Sequence, residues 1–410
     1  ENLVTFLFMA PFSQELEPPQ NPGRFRYAPP GARVLDPWNG SGTTTSACAA
    51  GGFRSVGLDI NPSTIPVAWS RLAPPPLVDE LCRRIMDFAP ADLFEPHTVE
   101  CDDDLTSVFF DEAASTLIHG LRANLCIAAR DIAGNFGAPE TYAVSGVAFV
   151  LLAEVLREAL RPRRGTNPSW FSRPKQKADR IQIDQDSLRE SVIAVAKNIS
   201  VSTRTLFPVR NTDYIWPQIM TGDVRADLSE LGEFDLVVSS PPYCTRIDYA
   251  IATTPELLAL GTIGKRGFDD LRMRIMGSVV TESNISTANS YRSDTLIHTL
   301  QSIATHPSKA ASTYYRRYFS RYFDDLTIAI GQLSSVVRNG RIILVVQNSY
   351  FKDLVIDLRQ IIIELLEAEN FVLETARSYP VRPTIAGSNP RSKIYRDANV
   401  RAEEVLVFSK

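Results

Sequence analysis

The strongest constraint on the fold comes from two short apolar runs about two hundred residues apart, each ending in a turn of unusual residues. The first is Ala32 to Thr45, ARVLDPWNGSGTTT, and the second is Phe234 to Tyr243, FDLVVSSPPY. Each run reads as a buried parallel strand, and each turn sits where such a strand would stop. In open α/β sheets, ligands and chemistry gather at the carboxyl ends of strands. The two turns are therefore the first places to look for a site.

The surrounding chain supports a doubly wound sheet. Arg33 to Leu35 is a predicted strand, followed by the glycine turn and a helix from Thr43 to Ala50 that Gly51 and Gly52 close. Ser55 to Leu58 is a second strand ending at Asp59, and a helix covers Thr64 to Leu72. This β-α-β-α start is the pattern of a Rossmann-like parallel sheet. Ala73-Pro74-Pro75-Pro76 then marks a boundary, and residues 76–215 read as a mainly helical insertion, with helices over Ala113 to Ala133 and Val144 to Leu160. Sheet rhythm returns at Gln218 to Met220 and again at Phe234 to Val238, within a segment 216–245 that carries the second turn. A second insertion spans 246–312. The segment 313–410 supplies helices over Tyr314 to Val337 and Leu354 to Ala368, with strands at Arg341 to Val346, Phe371 to Thr375 and Glu404 to Phe408. Tyr315, Phe319, Tyr322 and Phe323 share one helical face and are expected in the core. Asn348, Ser349 and Tyr350 end a strand and point toward the same rim as the two turns. The fold expected is one α/β sheet, begun in 1–75 and interrupted by two mainly helical insertions.

Composition narrows the setting. With 44% apolar and 22% charged residues, 410 residues support a large core, and the net charge of −4 gives no global signature for nucleic acid. The five cysteines, Cys48, Cys82, Cys101, Cys126 and Cys244, form no C-x-x-C pair, and the four histidines show no metal-ligand spacing. A reducing, cytoplasmic setting is expected, with no metal. No helix long and apolar enough to span a membrane is expected.

Asp36 to Gly42 has glycines where backbone must pass close to a ligand without a Cβ in the way. It is not the G-x-x-x-x-G-K-[ST] phosphate loop. Asp59 ends the second strand 23 residues after Asp36, where a carboxylate can accept both hydroxyls of an adenosine ribose; a helix N-cap before Pro62 is the alternative. Asp223 is placed either to accept an adenine amino group or to cap a helix starting near Val224. At Ser240-Pro241-Pro242-Tyr243 the chemistry sharpens. An exocyclic amino group on a base is a poor nucleophile because its lone pair is delocalised into the ring. A serine oxygen and the Pro241 carbonyl can accept both amino hydrogens and aim that lone pair at a donor. The prolines fix the backbone, and Tyr243 offers a face on which an extruded base can stack.

These residues resemble the S-adenosylmethionine-dependent amino-methyltransferases of DNA, which modify N4 of cytosine or N6 of adenine. The family's D-P-F-x-G-S-G-T-T motif is matched with Trp38 in place of phenylalanine, and its [S/D/N]-P-P-[Y/F/W] motif by Ser240 to Tyr243. The resemblance covers the sheet segments, about half the chain. It implies S-adenosylmethionine as cofactor, held by Phe12, Asp36, Pro37, Trp38, Asn39, Gly40, Gly42, Thr43, Thr44, Asp59, Ile60 and Asp223. Asp36, Gly40 and Gly42 would line its methionine part, Asp59 the ribose and Asp223 the adenine. Ser240, Pro241, Pro242 and Tyr243 would be catalytic. A serine at the first catalytic position leans toward N4 of cytosine over N6 of adenine. Ring-carbon methylation needs a nucleophilic cysteine in a Pro-Cys pair, whereas Cys244 follows Tyr243. Methylation of RNA or of a protein amide remains open, as does a catalytically silent DNA-binding subunit of a restriction or defence complex.

Target recognition is expected from basic loops. Between Arg157 and Arg180 there are eight basic residues against two acidic ones, including Arg163, Arg164, Arg173 and Lys175, with Trp170 available for stacking or wedging. Arg246 beside the catalytic turn and the late Arg391 and Lys393 are further candidates for DNA contact. Arg377, Arg382 and Arg396 belong to the same late basic run.

Overall fold

The computed structural model describes residues 31–88, 94, 103–134, 136–165, 169–206, 215–245, 247–279, 291–380 and 402–410. Nine strands are found among them: β1 (Arg33–Asp36), β2 (Arg54–Asp59), β3 (Gln218–Thr221), β4 (Leu236–Ser239), β5 (Arg341–Gln347), β6 (Ser349–Phe351), β7 (Leu354–Ile356), β8 (Val372–Pro380) and β9 (Ala402–Ser409). Seven form one sheet in the order β3-β2-β1-β4-β5-β9-β8. β3, β2, β1, β4 and β5 run parallel, and β9 runs antiparallel to both its neighbours. The fold is α/β with a mainly parallel central sheet, compatible with a Rossmann-like arrangement.

The apolar runs are strands because both faces of the sheet are covered, so alternate residues all need apolar surroundings. Leu35, Val237, Ile342 and Leu344 point to one core, which is closed by helices. Val34, Leu236, Val238 and Ile343 point to the other face and meet Cys48. β1 ends at Asp36 and is followed by helix α1 (Thr43–Ala50); β2 is followed by α2 (Thr64–Ser70). The left-handed residue after α1 is Gly52, with φ of 74°, rather than Gly51.

The triple proline stands where the chain leaves the first sheet segment. It opens helix α3 (Pro75–Asp87), because proline at the first helical position lacks only an N–H that the helix would leave unpaired anyway. The first insertion then contributes α4 (Thr106–Phe109), α5 (Glu112–Ala133), α6 (Ala138–Ala159) and α7 (Gln185–Leu206). α6 starts six residues before Val144, after Gly137. It is the one helix among the described residues long and apolar enough to cross a membrane, contrary to the expectation of none. Sixty-seven per cent of its apolar window is buried inside the protein, and it serves here as the centre of a helical core.

The second insertion divides between two cores. Its α8 (Tyr249–Ala252), α9 (Thr254–Leu260) and α10 (Lys265–Arg274) pack with the first insertion. Leu257, Leu258 and Phe268 share one core with Leu121, Val147 and Leu151. Arg122 ties the two insertions by donating to the carbonyls of Leu258 (2.8 Å) and Ala259 (3.1 Å). A buried triad, Glu154–Arg157–Glu256, does so again. Helix α11 (Asp294–Thr305) instead joins the sheet core through Leu296, Leu300 and Ile303.

Helix α12 (Arg316–Val336) follows a single π-turn at Ala311–Tyr315 and buries Phe319, Tyr322 and Phe323 as the helical face required, with Tyr315 packed partly buried against them. Residues 354–356 are β7 rather than helix. They pair with β6 in a hairpin whose two-residue turn places Lys352 at φ of 56°, and α13 (Leu358–Glu367) starts only after Asp357 caps it. Ser349 and Tyr350 thus belong to this hairpin instead of ending β5.

Candidate active site

The chain reverses direction across the sheet between β1 and β4, and a crevice opens at such a switch point outside the carboxyl ends of the strands. Both turns singled out in the sequence lie there. They also touch. The Ser239 hydroxyl donates to Asp36 Oδ1 at 2.6 Å, with both side chains buried, 2% and 4% exposed respectively. The same Asp36 oxygen accepts the Trp38 N–H at 3.2 Å, which turns the chain after β1.

The glycine turn is built from several sides. Pro37 is buried, Trp38 packs partly buried against the sheet core, and Asn39 is buried with its N–H on the Leu58 carbonyl (2.9 Å). Asn39 Oδ1 accepts the Thr45 hydroxyl at 3.1 Å; its Nδ2 is buried without a hydrogen-bond partner among the described residues. Gly40 and Gly42 both have positive φ, 48° and 78°, but for different reasons. A Cβ on Gly42 would stand 2.6 Å from the Ala68 Cβ of α2, so helix packing forbids it. A Cβ on Gly40 would meet, among the described residues, only the Trp38 carbonyl at 3.9 Å, an ordinary contact distance. Thr43 is exposed and Thr44 half-buried at the start of α1. The α2 side contributes a residue the sequence did not point to: the half-buried Arg71 guanidinium donates to the Ser41 carbonyl (2.6 Å) and hydroxyl (3.1 Å). Burial holds its pKa down to about 10.

At the end of β2, Asp59 is set by two backbone donors, Gly40 N–H on Oδ2 and Asn61 N–H on Oδ1, each at 2.8 Å. Burial nonetheless pushes its carboxyl up to about 6, against the pull of those two N–H groups. Ile60 leans on the helical core. Asn61, also unanticipated, donates to the Thr253 hydroxyl at 2.9 Å and so joins the end of β2 to the second insertion.

Asp223, beyond β3, is committed to Arg225. Its Oδ1 accepts Arg225 N–H (3.0 Å) and Nε (2.9 Å), and its Oδ2 accepts Nη2 (2.7 Å). Burial works against its ionisation, but the Arg225 bonds outweigh it and hold the carboxyl below its ordinary value. The helix expected near Val224 does not form; a turn leads to a short 3₁₀ segment at Ser229–Leu231. Arg225 also reaches Asp325 of α12 (2.6 Å) and the Arg274 carbonyl (2.6 Å), so one guanidinium braces sheet, helix and second insertion.

In the second turn Ser240 is exposed, Pro241 buried, and Pro242 and Tyr243 half-buried. Cys244 is 1% exposed and burial raises its thiol well above the ordinary range, which removes it as a nucleophile. The Tyr243 hydroxyl donates to Glu403 Oε1 of β9 at 3.1 Å.

The basic loop folds back on itself as a small hairpin in which Ser172 N–H donates to the Arg163 carbonyl and Gly165 N–H to that of Trp170. It docks on α10. Arg173 pairs with Asp269 (2.6 Å) and lies over the Phe268 ring, while Arg272 lies over Trp170, which is itself packed against the helical core. Trp170 is thus an anchor of the hairpin. Arg164 lies over Phe171, Arg163 is half-buried and Lys175 exposed. Arg377 is exposed on β8. Phe12, Arg246, Arg382, Arg391, Lys393 and Arg396 lie outside the described residues. No group of histidine, cysteine and acidic side chains suited to a metal occurs among the described residues.

Compared with known proteins, the chain matches no family model and no curated protein sequence.

Proposed function

We propose that the protein transfers a methyl group from S-adenosylmethionine to the exocyclic amino group of a DNA base, N4 of cytosine. The observation that carries this reading is the buried Ser239–Asp36 bond, which joins the glycine turn to the Ser-Pro-Pro-Tyr turn at the switch point of the sheet. A cofactor bound along one turn would have its reactive end beside the other.

The residues present fit such a cofactor. Its ammonium, ribose hydroxyls and adenine amino group are all donors, and carboxylates stand at or just beyond the ends of β1, β2 and β3: Asp36, Asp59 and Asp223. Gly40 puts no Cβ on the turn where it would pass close to the cofactor. Asp59 is held by backbone donors in a fixed orientation, so little ordering is left to be done on binding. Asp223 takes part through the outer side of Oδ2, its other positions being filled by Arg225. When bound, the cofactor supplies an electrophilic sulfonium methyl.

The chain's own residues orient the nucleophile. Ser240, exposed at the turn, accepts one amino hydrogen and the Pro241 carbonyl the other, drawing nitrogen toward tetrahedral geometry. The Tyr243 face stacks the extruded base. Catalysis here is chiefly orientation and preorganised hydrogen bonding. Arg163, Arg164 and Lys175 of the hairpin are the proposed phosphate contacts; Arg173 and Trp170 hold the hairpin in place.

Isotopically labelled S-adenosylmethionine, incubated with the protein and mixed genomic DNA and followed by nucleoside mass spectrometry, tests this directly. Labelled N4-methylcytosine is expected, and it disappears in Ser240→Ala and Tyr243→Ala while cofactor affinity stays within a few fold. N6-methyladenine would correct the base; no labelled nucleoside would overturn the reading.

A further inference from the structure

The Ser240–Tyr243 turn cannot hold itself. Pro241 and Pro242 have no N–H, so this stretch of backbone offers acceptors and lacks the donors a tight turn uses to close on itself. Ring closure fixes φ at both prolines but leaves ψ of Pro242, and with it the tilt of the next peptide plane, to outside forces. Three elements distant in sequence hold the turn from outside, two with donors to its carbonyls and one with an acceptor for the Tyr243 hydroxyl. The buried Tyr322 hydroxyl of α12 donates to the Pro242 carbonyl at 2.7 Å. The Ser349 hydroxyl of β6 donates to the Cys244 carbonyl at 2.5 Å. Glu403 of β9 accepts the Tyr243 hydroxyl at 3.1 Å. Consecutive residues 242, 243 and 244 are each held by a side chain from a different distant element.

We propose that Tyr322, Ser349 and Glu403 are positioning residues that together set the peptide plane after Pro242 and the direction of the Tyr243 ring. This rests on the methyl-transfer reading and extends it. Glu403 is the most informative of the three. Fixing the phenol at its hydroxyl limits rotation about the Cα–Cβ bond, and a fixed ring direction is what a platform for a planar substrate requires. Tyr322 buries its ring in the core, as its helical face demands, and spends its hydroxyl on the turn.

The test is steady-state transfer of labelled methyl to genomic DNA, with cofactor affinity measured separately by calorimetry and folding by thermal melting. Glu403→Ala is expected to lower kcat by about tenfold to a hundredfold, in line with the cost of slight misplacement of reacting groups. KM for cofactor and the calorimetric affinity stay within about twofold, since the cofactor side of the site is untouched. Glu403→Gln keeps an acceptor oxygen and recovers most of the rate. Tyr322→Phe, which deletes one hydroxyl and no packing volume, lowers kcat in the same selective way. The inference is overturned if Glu403→Ala keeps wild-type kcat, or if all variants lose cofactor affinity and melting temperature in step with rate. A wild-type protein that transfers no methyl at all would instead sink the functional reading, and the two failures are told apart by that control.

Discussion

Replacing Ser239 by alanine removes a single hydroxyl at the junction between the two turns. The bond it makes is short, 2.6 Å, and both partners are almost fully buried. Hydrogen bonds to a charged group contribute about 1.5–3 kcal/mol, and a buried carboxylate oxygen that loses its donor also keeps its desolvation cost. The expected loss is therefore about 2–3 kcal/mol of global stability. A double-mutant cycle with Asp36→Ala isolates the pair from the side effects of each change, including the lost Trp38 N–H contact. Urea unfolding followed by tryptophan fluorescence suits the assay, because Trp38 reports on the sheet and Trp170 on the helical body. Coincidence with a circular dichroism transition would license the two-state treatment. The expected coupling is about 1–3 kcal/mol. If the two substitutions add within about 0.5 kcal/mol, the bond does not tie the turns and the argument for a shared crevice loses its main support.

Other outcomes follow from the same geometry. Gly42→Ala combines a left-handed backbone with overlap against Ala68 and should cost about 2–4 kcal/mol. Gly40→Ala meets only the backbone cost, about 1–2 kcal/mol, yet should abolish cofactor binding in calorimetry; equal stability losses would contradict the distinction. Asp59 has a carboxyl raised to about 6 in the folded protein. The native state therefore holds more protons than the unfolded chain between the ordinary carboxylate value and 6, so stability falls as pH rises through that window and then levels off. Asp59→Asn should flatten that slope in pH-dependent denaturation. Cofactor affinity should rise as pH rises through about 6, because only the ionised carboxylate accepts both ribose hydroxyls. Arg157→Met leaves Glu154 and Glu256 facing each other in a buried setting and should cost about 3–5 kcal/mol at neutral pH. The cost shrinks at about pH 5, since burial raises Glu154 to about 7 and it is then protonated. An unchanged urea midpoint would show the triad to be inert.

Where the sequence was legible, the signal was local. The strands before Asp36, Asp59 and Ser240 could be placed because buried parallel strands read as apolar runs and turn residues mark their ends. Residues 43–50 could be placed as a helix because Gly42 and Gly51-Gly52 bracket them. Three apolar residues at 354–356 carry too short a pattern to separate strand from helix, and the sharp turn at Lys352 that decides the matter is made by an ordinary lysine. The proline run was ambiguous for a related reason, since proline both ends and begins helices. Contacts across the fold left no local trace. Arg71 on Ser41, Asn61 on Thr253 and Glu403 on Tyr243 join residues 30, 192 and 160 positions apart. Nothing in the composition around Leu257 and Leu258 says that they share a core with Val147, a hundred residues earlier. Asp223 shows the opposite limit: its position was plain, but its engagement depends on an arginine two residues on whose other partners lie in α12 and at the end of α10.

The shared helical core has a consequence for how the chain reaches its final state. α8, α9 and α10 follow β4 in sequence, yet their partners in that core precede β3. Likewise β1 cannot gain its second sheet neighbour until β4 has been made, about two hundred residues later. A growing chain therefore carries an open β1 edge and an unfinished helical core at the same time, and the same stretch of synthesis relieves both. Loop closure of that span is entropically costly unless the intervening helices have already drawn its ends together. No single cut yields a whole sheet and a whole helical body. Sheet and body should melt as one cooperative unit, and a chain stopped shortly before β4 should be a ready client for chaperones.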